Sequence, residues 1–179
     1  MGRNGGEQLR KAGTGREFME RTKYAYIGKS DQQNGISQPP LELPPDPGLP
    51  LINLPRPETL DIPPLDLRTA IERRRSIRSY AHQPLSLKEL SFLLWCSQGV
   101  QQVNGTHGTL RTVPSAGARH AFETYLLIHD VDTLTPGLYR YLALSHRLQQ
   151  IDTDPTLPHR ITAACFDQQF ILRCGVVFL

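Results

Sequence analysis

Residues 122–151, FETYLLIHDVDTLTPGLYRYLALSHRLQQI, contain the pattern that decides the fold class. Residues 122–129 are largely apolar and rich in residues that favour β-structure, as expected for a buried strand. Residues 138–143 and 147–151 predict two further strands joined across residues 144–146, although no Asn-Gly or glycine-containing turn fixes the turn type. The stretch therefore predicts a sheet that contains an antiparallel hairpin.

Helical patterns lie on both sides of this stretch. Asp66 can cap a first helix that runs to about Arg75. Ser86 and Glu89 form a capping box for a second helix, which Gly99 is placed to end. Residues 158–166 predict a short helix, and residues 170–179, FILRCGVVFL, predict another buried strand. The apolar faces expected for the first two helices contain Leu67, Ala70 and Ile71, and Leu87, Leu90, Leu93 and Leu94, respectively.

The N-terminal third has a different composition. We expect residues 1–17 to be disordered and residues 18–65 to form a proline-rich arm. Ten of the fifteen prolines lie in residues 39–64, which excludes a continuous helix there. Because large aliphatic residues are interspersed among the prolines, we expect the arm to pack along a folded surface.

Composition limits the class of protein. With 179 residues, 39% hydrophobic and 21% charged, the chain suits one globular domain. It has neither an apolar run near the ~20 residues of a membrane span nor a secretory leader pattern, so we expect a cytoplasmic protein without a membrane partner. Cys96, Cys165 and Cys174 lack CxxC spacing, and we expect buried reduced thiols. The six histidines lack metal-ligand spacing, so no metal is expected.

A basic cluster follows the first predicted helix. Between Asp66 and His82, five arginines stand against two acidic residues. Extended backbone would place Ser76 and Arg78 on one side, where Arg74 or Arg75 could join them around an anion such as phosphate. The same arginines would equally suit a helix C-terminus, whose carbonyl groups attract cations. The only aromatic residue in the segment is Tyr80, so nucleic acid is not an expected partner.

A second candidate segment contains Ser115, Ala116 and Gly117, just before the strand at residue 122. Small residues would let the backbone approach a flat ligand, although an ordinary loop would look the same. The glycines form neither a GxGxxG nor a P-loop pattern. No nucleophile elbow or paired carboxylates are present, so the catalytic residues stay unknown.

Taken together, the segments resemble the nitroreductase-like flavoenzymes, in particular the SagB-type dehydrogenase branch. The resemblance extends from about residue 18 to the last residue. Its matching pieces are Arg21-Thr22-Lys23-Tyr24, the proline-rich arm, residues 74–80 (RRSIRSY), residues 84–90 (PLSLKEL) with Leu93-Leu94-Trp95, Gly99-Val100, residues 111–120 (RTVPSAGARH) and residues 137–141 (GLYRY).

The resemblance implies an α+β fold with a mainly antiparallel sheet surrounded by helices, and residues 66–179 as the N-terminal portion of an FMN-binding domain. It also implies a homodimer with FMN at the subunit interface and NAD(P)H as a candidate electron donor. The family's RRSxR segment holds the FMN phosphate and ribityl chain, which assigns Arg74, Arg75, Ser76 and Arg78 to that role. Its PSAG segment lies against the flavin, which assigns Ser115, Ala116 and Gly117.

The branch oxidises thiazoline and oxazoline rings in modified peptides, and the wider family reduces nitroaromatics and quinones. The family pattern continues beyond a strand such as residues 170–179, so the resemblance implies a chain incomplete at its C-terminus. Two function hypotheses follow. The first is an FMN-dependent oxidoreductase acting on a small molecule or a modified peptide, and the second is an inactive scaffold that retains only partner-binding surfaces.

Overall fold

The computed structural model describes residues 13–179, which form two compact units divided between Pro39 and Pro40. The first unit contains helix α1 (Thr14–Arg21). The second contains β1 (Leu51–Asn53), α2 (Leu67–Arg73), α3 (Leu87–Gln98), β2 (Val100–Asn104), β3 (Gly108–Arg111), β4 (Thr124–Ile128), β5 (Gly137–Leu142), β6 (Arg147–Asp152), α4 (Leu157–Ala164) and β7 (Val176–Phe178). Within residues 13–179, every helix is too short or too polar to cross a lipid bilayer.

Helix α1 has no buried residue. Glu17 and Arg21, one turn apart, form an ion pair at 2.9 Å that suits an exposed helix. Disorder predicted for residues 1–17 stays a prediction for residues 1–12, which lie outside the described part of the chain. Thr14 to Glu17 instead form the first turn of α1.

The central sheet has five strands in the order β1-β6-β5-β4-β7, and every neighbouring pair is antiparallel. The predicted hairpin is present as β5 and β6, and His146 adopts a positive φ of 49° in its turn. A separate hairpin pairs β2 with β3. The α+β class with a mainly antiparallel sheet is therefore confirmed.

Helix α3 covers one face of the sheet. Its capping box is confirmed: Ser86 Oγ accepts from the Glu89 N–H at 3.2 Å, and Glu89 Oε2 accepts from the Ser86 N–H at 2.9 Å. Leu90 and Leu94 are completely buried in the main core with β4, β5 and β6 residues. The predicted burial of Leu93 is wrong, since that side chain is 44% exposed. It lies one position before Leu94, about 100° around the helix, at the edge of the buried face.

Helix α2 begins as predicted, with Asp66 Oδ1 accepting from the Thr69 N–H at 2.9 Å. It ends at Arg73 and has no buried residue. Leu67 and Ile71 are 75% and 65% exposed, so the apolar face expected from the sequence has no cover among the described residues.

The C-terminal residues differ from the prediction of one long strand. Residues Gln169–Leu172 form a 3₁₀ turn, and strand β7, Val176–Phe178, pairs with β4, with Leu179 also exchanging two backbone hydrogen bonds with Tyr125. Ile171 is buried against Leu127 and Leu157 in a second core cluster. The apolar run therefore signals burial, and only its last residues are extended backbone. The helix predicted over residues 158–166 is present as α4, one residue earlier at its start and two at its end.

The proline-rich arm packs against the sheet from residue 43 onward. Arg140 Nη2 donates to the carbonyls of Leu43 and Pro44, at 3.3 and 2.8 Å. Gln149 exchanges two hydrogen bonds with the backbone of Asp46, at 3.1 and 2.8 Å. Strand β1 then pairs with β6, and Leu54 enters the main core. The prediction that the arm packs along a folded surface is confirmed for this part.

Candidate functional site

The basic segment leaves helix α2 without regular secondary structure. Arg74 has φ −55° and ψ 126°, which ends the helix. Arg75 Nη1 donates to the carbonyls of Glu72 and Arg74, at 2.9 and 2.8 Å. In this structure Arg75 therefore binds the helix C-terminus, which is the alternative that the sequence left open for the cluster.

Arg74, Ser76 and Arg78 are exposed. Among residues 13–179, no carboxylate forms an ion pair with Arg74, Arg75 or Arg78. The Arg78 guanidinium lies 6.0 Å from the centre of the Phe170 ring, a cation–π contact that places it beside the C-terminal 3₁₀ turn. Guanidinium groups without an acidic partner, together with a hydroxyl, are a donor set that fits a phosphate group.

The second candidate segment forms a tight turn. Ser115 Oγ accepts from the His120 N–H at 3.0 Å. Gly117 and Ala118 have positive φ values of 69° and 56°, and a Cβ added at Gly117 would meet no atom within 4 Å. The turn therefore presents exposed backbone at Ala116 and Gly117, open to a ligand that needs close approach.

Strand β3 supports this turn. A Cβ added at Gly108 would lie only 2.7 Å from the Ala118 carbonyl oxygen, so the backbones approach closely there. No hydrogen bond or ion pair in the described part of the chain joins residues 74–78 to residues 115–117. The structure places each predicted segment at the surface but does not bring the two together by direct contact.

A carboxylate of the arm, Glu42, lies near Glu123, a pairing that the sequence did not predict. Glu42 Oε1 accepts from the Leu144 N–H at 3.1 Å, and Glu123 Oε1 accepts from the Leu43 N–H at 2.8 Å. Burial raises the pKa of Glu42, and the neighbouring Glu123 acts in the same direction. Arg111 opposes this effect, and burial in turn lowers its own pKa. No local sequence pattern connects Glu123 with the arm, because the arm residue that it binds lies 80 positions earlier in the chain.

A buried polar network was also missed. Ser91 Oγ lies 2.8 Å from His146 Nε2 and donates to the Pro55 carbonyl at 2.5 Å. Tyr141 Oη lies 2.8 Å from His146 Nδ1. Burial lowers the pKa of His146 and raises that of Tyr141. The network connects α3, β5 and the arm, and only the fold brings these residues together.

The cysteines are all free, but their burial differs from the prediction. Cys174 is buried, Cys165 is half-buried and Cys96 is exposed. Cys96 lies on the outer side of α3, which explains why its apolar sequence context was misleading. Burial raises the pKa of Cys174. Contact with neighbouring residues also desolvates the Cys96 thiol and raises its pKa, which lowers the fraction of reactive thiolate. No cluster of metal-ligating side chains occurs within residues 13–179.

Comparison with known proteins identifies the family. The model of the nitroreductase family matches residues 71–179, well over half of the chain. The chain belongs to the nitroreductase family.

Individual relatives match a large part of the chain. A protein described as a putative nitroreductase from Methanocaldococcus jannaschii is 34% identical over 119 residues, which are 66% of this chain and 58% of that relative. The crystal structure of a putative nitroreductase from Anabaena variabilis has a TM-score of 0.55 at 22% identity, covering 74% of this chain and 27% of the other. A putative nitroreductase from Ralstonia eutropha has a TM-score of 0.46 at 30% identity, covering 64% and 52%. The chain thus spans less than two thirds of each relative.

Proposed function

We propose that this chain contributes to an FMN-dependent oxidoreductase and that its basic segment holds the flavin phosphate. The observation that carries the proposal is the set of exposed donors at Arg74, Ser76 and Arg78, whose guanidinium groups have no carboxylate partner among the described residues. Membership of the nitroreductase family supports the choice of a flavin over other phosphorylated ligands. Arg75 would join the donors by exchanging its helix carbonyls for phosphate oxygens.

FMN, when bound, accepts and releases a hydride at N5. The residues of this chain would bind and orient it. Arg74 and Arg78 supply fixed positive charge and forked N–H donors, and the Ser76 hydroxyl supplies a neutral donor. Ser115, Ala116 and Gly117 would offer the flat part of the flavin a surface without large side chains, with Ser115 held in place by the His120 N–H.

The finer assignments belong to the same proposal. We propose a homodimer, NAD(P)H as electron donor in the reductive direction, and azolines in modified peptides as one substrate class. These follow from the resemblance of the arm, RRSIRSY and RTVPSAGARH segments to the SagB-type branch. The competing hypothesis, an inactive scaffold, predicts a folded chain that binds partners but no flavin.

The test compares FMN with riboflavin, which lacks the phosphate. Flavin fluorescence is titrated with the purified chain, its Arg78→Ala variant and Arg160→Ala, an exposed arginine on α4 that pairs with Asp154 at 3.7 Å. We expect Arg78→Ala to weaken FMN binding at least about tenfold, equivalent to ~1.4 kcal/mol. Riboflavin binding should change little, and Arg160→Ala should match the parent chain.

Trypsin provides a second readout that does not depend on fluorescence. Residues 73–78 contain four exposed arginines at or beyond the end of α2, so the free chain should be cut there. Bound FMN should slow cleavage at these sites but not at Arg160. FMN affinity that Arg78→Ala leaves unchanged would overturn the phosphate assignment, and a folded chain that binds no flavin would favour the scaffold hypothesis.

A further inference from the structure

A cleft of about 550 Å³ lies between the arm at residues 53–58, strand β2 and the hairpin turn at residues 143–146. Its volume is within the range of ligand-binding sites, roughly 300–1,000 Å³. Neither residues 74–78 nor residues 115–117 line it. The cleft is therefore separate from the segments assigned to the flavin, and the inference drawn from it does not rest on flavin binding.

The edge of strand β2 forms one wall. Four consecutive residues, Val100 to Val103, line the cleft. Because successive side chains of a strand point to opposite faces, a wall of consecutive residues shows that the cleft runs along the strand edge. Among residues 13–179, β2 pairs with β3 alone. Its other edge therefore lacks a strand partner and offers backbone donors and acceptors to the cleft.

The lining suits a peptide backbone. The register changes between Val100 and Gln102, which leaves Gln101 as an unpaired bulge residue in the cleft wall. A bulge redirects a side chain and commonly marks a binding region. Gln101 on this wall and Asn53 on the arm each offer an amide donor and an amide acceptor, the same pair of groups that a peptide unit presents.

The remaining lining indicates which peptide would fit. Trp95, whose ring stacks on Phe92 with centroids 6.4 Å apart, and the largely buried Leu54 form an apolar surface. Arg56 and Glu58 are exposed at the rim, and their opposite charges leave no net attraction for an anionic ligand. The combination favours an uncharged stretch of backbone with one apolar side chain.

The opposite wall is held in place before any ligand arrives. The Pro55 carbonyl accepts from Ser91 Oγ, and His146 from the hairpin turn joins the same network. A preformed wall lowers the cost of ordering on binding. We propose that this cleft binds an extended peptide segment of another polypeptide, which adds as a strand along the edge of β2 with an apolar side chain against Trp95.

Trp95 is the single tryptophan of the chain, so its fluorescence reports on this cleft directly. A phage-displayed library of random dodecapeptides is selected on the purified 179-residue chain, and the enriched peptides are synthesised and titrated. We expect enriched peptides to change the Trp95 emission on binding. Gln101→Ala should weaken binding about three- to tenfold by removing a hydrogen-bonding side chain, while Gln168→Ala, an exposed glutamine outside the cleft, should have no effect.

Backbone pairing is tested on the peptide itself. In an added strand, alternate residues direct their N–H groups at β2 and the others direct theirs away. N-methylation of one alternate set should abolish binding, and N-methylation of the other should leave it nearly intact. Urea unfolding of Gln101→Ala checks that the variant is folded.

Three results would overturn the proposal. The first is that no peptide is enriched, or that enriched peptides leave the Trp95 emission unchanged. The second is equal tolerance of both N-methylated sets, which excludes strand addition. The third is a dimer, seen by sedimentation, that Gln101→Ala weakens, because the occupant of the edge would then be a second copy of this chain.

Discussion

At the scale of single residues, His146 shows how the fold creates a site without a local signal. Ser91 Oγ donates its hydrogen to the Pro55 carbonyl, so it can only accept from His146 Nε2. The hydrogen-bond network therefore assigns the ring hydrogen to Nε2, and Nδ1 accepts from the Tyr141 hydroxyl. The neutral ring satisfies every partner, and burial disfavours a second ring proton because it would put a charge on the imidazole.

This arrangement predicts that the free energy of unfolding falls with acidification. Burial lowers the pKa of His146, so the unfolded chain binds more protons below its own histidine pKa of about 6.5. Stability contributed by the neutral ring is complete above that pH and decreases as the pH drops below it. We expect urea unfolding between pH 7.5 and pH 5 to show this decrease and His146→Asn to show a smaller one.

The neutral variant should also lose about 1–3 kcal/mol at pH 7.5, since Ser91 and Tyr141 lose a buried partner. Burial lowers the pKa of His129 and His120 as well, so part of the pH dependence remains. His159→Asn, at an exposed position of α4, is the matched control and should keep the full decrease. A His146→Asn variant with an unchanged pH slope would contradict the assignment.

At the scale of elements, the sequence predicted the helix caps correctly but did not predict which helix faces are buried. The capping box of α3 was predicted from Ser86 and Glu89, three residues apart, and the cap of α2 from Asp66 directly before the helical pattern. The apolar pattern could not distinguish their environments, because α3 packs on the sheet while α2 has no buried residue. The single long strand predicted for residues 170–179 was wrong for the same reason, since an apolar run is compatible with either a strand or a buried 3₁₀ turn.

Removal of the two helix caps should therefore affect the stability of the protein differently. Ser86→Ala should lower the free energy of unfolding by about 1 kcal/mol, because α3 carries Leu90 and Leu94 into the core. Asp66→Ala should fray α2 but leave the global urea midpoint nearly unchanged, since no core contact depends on that helix. Urea unfolding measures the global effect, and amide hydrogen exchange in residues 67–73 measures the local one. Equal shifts in the global midpoint would show that α2 is part of the cooperative unit.

At the scale of the whole molecule, the antiparallel sheet was predicted and the connections across it were not. The strand and hairpin patterns lie within thirty consecutive residues, so the sequence displays them directly. The contacts of Arg140 with Leu43 and Pro44 join residues almost a hundred positions apart, and no local pattern encodes them. The two segments of the candidate flavin site were singled out from their residue types, and the resemblance assigned both to one flavin. Their relation in space needs contacts that the described residues do not supply.

The exposed apolar face of α2 predicts self-association of the chain. Leu67 and Ile71 lie one turn apart on the same face, and Ile77 beyond the helix is 69% exposed. Burying each such side chain is worth roughly 1.5–3 kcal/mol, so pairing this face with a second copy would bring a substantial gain. We expect sedimentation velocity to show a concentration-dependent dimer, which is also the oligomer proposed for the flavin enzyme.

The double variant Leu67→Lys with Ile71→Lys should shift the chain to a monomer, because two charges per subunit would have to be desolvated at the contact. At a protein concentration where the parent chain is monomeric, its unfolding midpoint should stay close to that of the parent chain, since neither side chain reaches the core. Phe122→Lys is the control for general stickiness, as Phe122 is 89% exposed and distant in sequence from α2. If Phe122→Lys weakened the dimer equally, the contact would be non-specific. If the double variant still formed the dimer, the interface would lie on another surface.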